Sequence, residues 1–321
     1  MWDLTVPLEL IINRIENENA GIRVLYLTAA DGSDLPAYTP GAHIDVALDG
    51  IGTRSYSLID FSPPMDPPFC YCIAVQREDA GQGGSVAMHQ YQFGDIITAT
   101  EPCNDFELRQ TCESPVILVA GGIGVTPLIS MATKLQESAV EFQFHYSGRN
   151  AAVTAFRKVL EEQFGEQLFL YLDDENPVLL DAVFSSSEKP ADVYICGPAG
   201  MIEATREAAL AAGVSADAIH VELFSTPVTA SADEAFEVEI QSTGQVYTIP
   251  VGKSIIDVLE DEGLDLVFDC QRGDCGICQT DVISGTPDHR DVVLSEAEKA
   301  SGKVMQICVS RARSERLVLD L

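Results

Sequence analysis

Cys270, Cys275 and Cys278 fall in the run Cys-Gln-Arg-Gly-Asp-Cys-Gly-Ile-Cys, and Cys308 follows further along the chain. The C-x4-C-x2-C…C spacing is that of the thiolates holding a plant-type 2Fe-2S cluster, a centre that passes electrons singly. Gly273 and Gly276, between the ligands, let the backbone curl closely round the bridging sulfides and turn N–H groups toward sulfur. A structural zinc site is the alternative. Zinc ribbons and knuckles favour two short Cys-x2-Cys arms, whereas here one compact loop carries three ligands and the fourth is remote, which favours iron and sulfur.

A second set of residues has the chemistry of nucleotide binding. The apolar run Val116 to Ala120 leads into Gly121-Gly122-Ile123-Gly124-Val125-Thr126-Pro127, with Thr126 expected as the N-cap and Pro127 as the first helical residue. A helix start after glycines offers backbone N–H groups and a favourable dipole to a pyrophosphate. Pro127 takes the last glycine position of G-x-G-x-x-G, so the run is not the dinucleotide fingerprint, and a tight strand-to-helix connection explains it equally. Cys196-Gly197-Pro198-Ala199-Gly200 is a similar strand end, and Ser147 and Arg149, after another strand, lie where an adenosine ribose could be reached. Upstream, strand alternation in Arg54-Ser55-Tyr56-Ser57 puts Arg54 and Tyr56 on one face and Ser55 and Ser57 on the other. If functional, Tyr56 packs on a flavin ring, Arg54 or a hydroxyl binds its polar atoms, and the loop Gly81-Gln82-Gly83-Gly84-Ser85 takes its phosphate.

The elements that must position these residues are legible as three patterns. Residues 1–105 read as short strands between Gly, Pro and Asp turns (Ile22 to Leu27, Ala42 to Val46, Arg54 to Leu58, Tyr71 to Val75), which predicts an antiparallel β-barrel. Residues 106–225 alternate strands (Val116 to Ala120, Phe142 to Tyr146, Leu168 to Tyr171, Val193 to Cys196) with helices expected over Ala152 to Phe164 and Ala199 to Ala212, the pattern of an α/β parallel sheet. The small, polar stretch 226–234 reads as a linker. Residues 235–321 open with a hairpin, Phe236 to Ile240 and Val246 to Ile249, followed by a helix capped by Ser254 with Asp257 and ended by Gly263.

The formal net charge is −31, from 19 Lys+Arg against 50 Asp+Glu, which argues against nucleic acid or an anionic membrane as partner. Steering of a basic redox partner accounts for the acidity no better than simple solubility or a salty habitat does. The chain shows no long apolar run and no secretory start at Met1-Trp2-Asp3-Leu4, so a cytoplasmic location is expected. Cys70, Cys72, Cys103, Cys112 and Cys196 lie mostly in apolar, strand-like stretches and read as reduced thiols.

Taken in order, Pro40-Gly41-Ala42-His43, Arg54-x-Tyr56-Ser57-Leu58, Gly83-Gly84-Ser85, Gly121-Gly122-Ile123-Gly124-x-Thr126-Pro127, Cys196-Gly197-Pro198, His220-x-Glu222-x-Phe224 and the cysteine loop span nearly the whole chain. Together they resemble the phthalate dioxygenase reductase family, the FMN and 2Fe-2S reductases of Rieske-type oxygenases. The resemblance implies a flavin barrel, an NAD-binding domain and a C-terminal β-grasp ferredoxin. It implies that Arg54, Ser55, Tyr56, Ser57 and Val75 contact FMN, and that Gly83, Gly84 and Ser85 hold its phosphate. It further implies that Gly122, Gly124, Thr126, Ser147, Arg149, Cys196, Gly197 and Pro198 serve the nicotinamide nucleotide. Ser57, Thr126, Cys196 and Phe224 then surround the place of hydride transfer, with Phe224 over the flavin. Gln82 stands where the family often carries Arg, which leaves the phosphate short of one cation.

NADH gives two electrons as a hydride and a 2Fe-2S cluster takes one at a time, so a flavin has to stand between them. No general acid or base is needed, and the five histidines are expected to be structural or on the surface. The expected activity is an NADH-dependent reductase feeding a terminal oxygenase, with NADPH a less favoured donor. A cytochrome P450 acceptor, a general diaphorase and, more distantly, a redox-sensing module are the alternatives.

Overall fold

The computed structural model describes residues 7–62, 66–109, 115–178, 180–185, 192–224, 233–268 and 270–321. Cys112, the first four residues and residues 226–232 of the expected linker lie outside them. The chain divides into two compact units, Trp2–Glu222 and Leu223–Leu321.

The first unit begins with β1 (Leu8–Asn19), β2 (Ile22–Ala29), β3 (His43–Leu48), β4 (Gly52–Ser57), β5 (Tyr71–Gln76), the short α1 (Gly84–Met88) and β6 (Ile96–Ala99). They form an antiparallel sheet in the order β4-β3-β6-β1-β2-β5, whose edge strands β4 and β5 approach one another. The Ile59 N–H completes the closure by donating to the Cys72 carbonyl at 2.9 Å. Alternate residues fill the barrel, among them Leu10, Ile12, Leu25, Leu27, Ile44 and Val46.

The same unit continues with β7 (Val116–Gly121), α2 (Val125–Glu137), β8 (Phe142–Gly148), α3 (Arg157–Phe164), β9 (Leu168–Leu172), α4 (Leu180–Ser185), β10 (Asp192–Cys196), α5 (Ala199–Ala211) and β11 (Ile219–Glu222). The strands are parallel in the order β11-β10-β7-β8-β9. β7 and β10 are neighbours whose chains leave in opposite directions along the sheet, so a switch-point crevice opens at their carboxyl ends. One apolar core joins the outer wall of the barrel (Ile22, Val24, Cys72, Ala74) to the sheet and α2 (Leu118, Ala120, Leu128, Met131).

Two expected helix starts differ. The helix expected from Ala152 begins at Arg157, because Asn150 holds a turn: its Oδ1 accepts the Ala152 N–H at 3.0 Å and its carbonyl accepts the Thr154 hydroxyl at 2.7 Å. Phe156, at φ 57, then breaks the path before α3. Thr126 is not an N-cap. A 3-10 turn over Gly122–Gly124 starts the winding early, so Gly124 caps α2 and Pro127 lies third in the helix, where its missing N–H is still tolerated.

The second unit holds β12 (Phe236–Ile240), β13 (Val246–Ile249), α6 (Ile255–Asp261), β14 (Gln279–Ser284), β15 (Pro287–Asp288), α7 (Glu296–Ser301), β16 (Val304–Gln306), β17 (Arg311–Ala312) and β18 (Arg316–Leu319). Its main sheet runs β13-β12-β18-β14-β16, with β12 and β18 parallel at the centre, and α6 packs Ile255, Ile256 and Leu259 into its core, as in a β-grasp. Ser254 and Asp257 form the expected capping box on α6.

Candidate redox centres

In the second unit the cysteine loop follows α6 and is built on positive φ: 50 at Gln271, 84 at Gly273 and 80 at Gly276. A Cβ on Gly273 would lie 2.7 Å from Val309 Cγ2, so glycine is needed there for conformation and for space. Cys278 and Cys308 are buried, and Cys270 and Cys275 are half-buried. The thiols act on one another. A hydrogen bond with Cys275, then burial, pushes Cys270 up to about 12; the closeness of Cys278 and Cys308 lowers the first thiol and raises the second, and Cys278 Sγ donates to Gln306 Oε1 at 3.4 Å. The Arg272 N–H points at Cys270 Sγ, 3.4 Å away. Four converging thiols resist joint ionisation unless cations replace their protons, which is the donor set an iron–sulfur cluster requires. Asp274, inside the loop, accepts the Leu223 N–H at 2.8 Å and faces Arg272 Nε at 3.5 Å; burial raises its carboxyl to about 7.

In the first unit, β4 presents Arg54 and Tyr56 on the side of Val46 and Ile44, their partners on β3, and Tyr56 packs against the barrel core. Burial raises the Tyr56 phenol to about 12. The guanidinium of Arg54 reaches over α1, donating to Gln82 Oε1 at 2.9 Å and to its neighbour's carbonyl, Thr53 O, at 2.7 Å. A Cβ on Gly84 would sit 2.8 Å from Arg54 Cγ, so this glycine makes room for the arginine. Ser85 Oγ accepts the Glu78 N–H at 2.9 Å, which fixes the loop, and Gly83 has φ 86. A cation, a glycine turn and a half-buried tyrosine ring fit the phosphate and ring of a flavin. Ser55 is exposed and donates to Asp45 Oδ1 at 2.5 Å, whereas Val75 lies in the core with its carbonyl bonded to His89 Nε2 at 2.9 Å.

Ser57 and Thr126 are both almost fully buried, and one seam carries them. One turn beyond Thr126, Ser130 Oγ donates to the Leu58 carbonyl at 2.8 Å and accepts the Asp60 N–H at 2.9 Å. Thr133 Oγ1 adds a bond to the Asp60 carbonyl at 2.7 Å. The barrel strand that bears Ser57 is thereby locked to α2, which bears Thr126. Thr126 Oγ1 itself donates to the Ile123 carbonyl at 3.0 Å.

At the switch point the glycines serve close packing. A Cβ on Gly124 would come within 2.4 Å of the Cys196 carbonyl oxygen, and one on Gly121 within 2.7 Å of Pro198 Cδ. Gly122 differs: its surroundings are open and φ is 55. Tyr146 OH steadies this turn through the Gly122 carbonyl at 3.1 Å. Ser147 pairs with Gly121 at the strand ends, while Arg149 is exposed. The Cys196 thiol is fully buried, 4.0 Å from Glu222 Oε2, its partner across the parallel pair β10 and β11. Phe224 is exposed and falls in the second unit.

The 2Fe-2S iron-sulfur cluster binding domain family matches residues 238–313. The vanillate O-demethylase oxidoreductase of Acinetobacter baylyi is 36% identical over 320 residues, covering 98% of this chain and 99% of that protein. The solved structure of phthalate dioxygenase reductase, described as a modular structure for electron transfer from pyridine nucleotides to [2Fe-2S], superposes with a TM-score of 0.73 at 33% identity over 98% of both chains. This chain belongs to the phthalate dioxygenase reductase family. As a member it is an oxidoreductase with a flavin-reductase barrel, a parallel sheet and a 2Fe-2S domain. An intact type IV self-sufficient cytochrome P450 monooxygenase contains a similar region, 31% identical with a TM-score of 0.73, of which this chain spans 41%. Among the described residues, no helix is long and apolar enough to cross a membrane.

Glu222, Ser130 and Asp274 were not singled out from the sequence. Glu222 stands in the His220-x-Glu222-x-Phe224 motif, but its meeting with Cys196 depends on the register of two parallel strands, which no linear pattern encodes.

Proposed function

We propose that this member of the family takes hydride from NADH onto FMN at the seam of Ser57 and Thr126, and passes electrons singly to a separate Rieske-type terminal oxygenase. The flavin supplies the conversion of a two-electron donor into single electrons, and the cluster supplies the single-electron exit. Arg54 would neutralise the flavin phosphate, Gly83, Gly84 and Ser85 would hold it, and Tyr56 would pack on the ring. Ser57 offers its hydroxyl to the flavin edge. Gly122, Gly197 and Pro198 would floor the nicotinamide crevice, with Thr126 and Cys196 buried directly behind them and Ser147 and Arg149 at its ribose end. Proximity does the rest, because neither centre calls for a proton-transferring residue.

The observation that supports this reading most strongly is that Cys270, Cys275, Cys278 and Cys308 all lie within the stretch matched by the 2Fe-2S iron-sulfur cluster binding domain, three of them on a loop built on positive-φ glycines. Anaerobic titration of the holoprotein with NADH, followed by electron paramagnetic resonance, is the direct test. Bleaching of the flavin should be accompanied by the signal of a reduced cluster, and flavin reduction with no cluster signal under any donor overturns the reading. The likeness to the self-sufficient cytochrome P450 favours a haem monooxygenase as second reading of the acceptor. Product formed per NADH with each purified acceptor class separates the two.

A further inference from the structure

Outside the two redox centres, one group of side chains converges without a role. His43 opens β3, and Cys103 lies opposite it in the connection that leaves β6: the His43 N–H donates to the Cys103 carbonyl at 2.9 Å and the Cys103 N–H to the His43 carbonyl at 3.0 Å. Asp45, two residues along β3, projects from the same face. His43 Nε2 is 3.1 Å from Cys103 Sγ and 3.8 Å from Asp45 Oδ1, and the three atoms lie within 4.8 Å of one another.

Nε2 and the Cys103 sulfur are within hydrogen-bonding distance, and all three donor atoms are close enough together for one cation to draw them onto itself with shifts of a few tenths of an ångström. Tetrahedral zinc, with Zn–N and Zn–O near 2.0–2.2 Å and Zn–S near 2.3 Å, sets its ligand atoms roughly 3.4–3.6 Å apart. A neutral imidazole nitrogen carries at most one proton, so Nε2 cannot donate to thiolate and carboxylate together, whereas a cation at the centre serves all three. The surroundings hold the ligands in place. Ser55 Oγ donates to Asp45 Oδ1 at 2.5 Å, Thr100 Oγ1 accepts the Asp45 N–H at 3.1 Å, and the Thr100 N–H donates to the Asp45 carbonyl at 2.9 Å. His43 is buried and Cys103 reaches the surface, so a metal ion has both an anchored ligand and a way in.

We propose that His43, Asp45 and Cys103 form a zinc(II) site, with water as the fourth ligand, that clips the connection after β6 to the barrel. Imidazole, carboxylate and thiolate together select zinc over magnesium or calcium. No electron transfer is assigned to it.

The test uses holoprotein with flavin and iron–sulfur cluster in place, one equivalent of zinc(II), and the variants Cys103→Ser and Asp45→Asn. Wild type should retain one zinc per chain through gel filtration with iron content unchanged, and X-ray absorption at the zinc edge should show a single sulfur neighbour. Cys103→Ser should lose that sulfur and bind zinc roughly a hundredfold more weakly, while NADH-driven flavin reduction stays at the wild-type rate. The melting midpoint should rise with zinc concentration in wild type and stay flat in both variants. Equal zinc retention by wild type and Cys103→Ser overturns the proposal. So does a zinc centre with four sulfur neighbours accompanied by loss of iron, which would place the metal in the ferredoxin loop.

Discussion

The guanidinium of Arg54 donates to the side-chain carbonyl of Gln82 at 2.9 Å, so the loop position that lacks a cation of its own borrows one from β4. Arg54→Gln should weaken FMN binding about ten- to a hundredfold, the equivalent of one charge-assisted hydrogen bond of roughly 1.5–3 kcal/mol. Gln82→Glu should weaken it comparably by pairing with the arginine, while Gln82→Ala should change it by about threefold or less. Titration of FMN into flavin-free protein, read by quenching of flavin fluorescence, checks all three.

Cys308 is remote in sequence from the other cluster ligands but is buried, and its thiol interacts with that of Cys278. Cys308→Ser should abolish the paramagnetic signal of the reduced cluster and electron delivery to any one-electron acceptor that needs the cluster, with NADH-driven flavin bleaching retained. A normal cluster signal in this variant would refute the assignment of Cys308.

Two glycines in one turn should respond differently to alanine. At Gly124 the added methyl meets backbone at 2.4 Å, so β7 and β10 must part, at a cost of about 2–3 kcal/mol and most of the affinity for NADH. At Gly122 there is room, and only the strain of φ 55 remains, about 1 kcal/mol. Urea unfolding of the two variants ranks them.

His145 is buried, bonded through Nδ1 to Tyr171 OH at 3.0 Å and through Nε2 to Gln143 Oε1 at 3.1 Å. Burial lowers it to about 4 from an ordinary 6.5. The unfolded chain therefore binds the extra proton first as pH falls. Stability contributed at His145 is complete above pH 6.5 and drains away between 6.5 and about 4, by roughly 3 kcal/mol at the end of that window. His145→Gln should flatten the acid limb of the melting curve in that range.

Much of the chemistry was readable because it is local. The cysteine loop, the glycines within it and the Ser254–Asp257 box all work over a few residues, where spacing is geometry. The α2 start was misplaced because a 3-10 turn through Gly122–Gly124 outran the cap that Thr126 offered. What long-range packing decides was not legible. The Ser130 clamp on Leu58 and Asp60, and the burial of Cys196 beside Glu222, join residues whose separation in sequence carries no pattern. The same holds for His43, Asp45 and Cys103, since a barrel strand and a connection after β6 meet there only through folding.

The outer wall of the barrel and the parallel sheet share one apolar core, with Ile22, Val24, Cys72 and Ala74 facing Leu128 and Met131. Anyone trimming this chain to a minimal flavoprotein therefore cannot stop at residue 105. Such a fragment would present a greasy flank to water and collect as inclusion bodies, whereas a fragment cut at Glu222 keeps that flank covered.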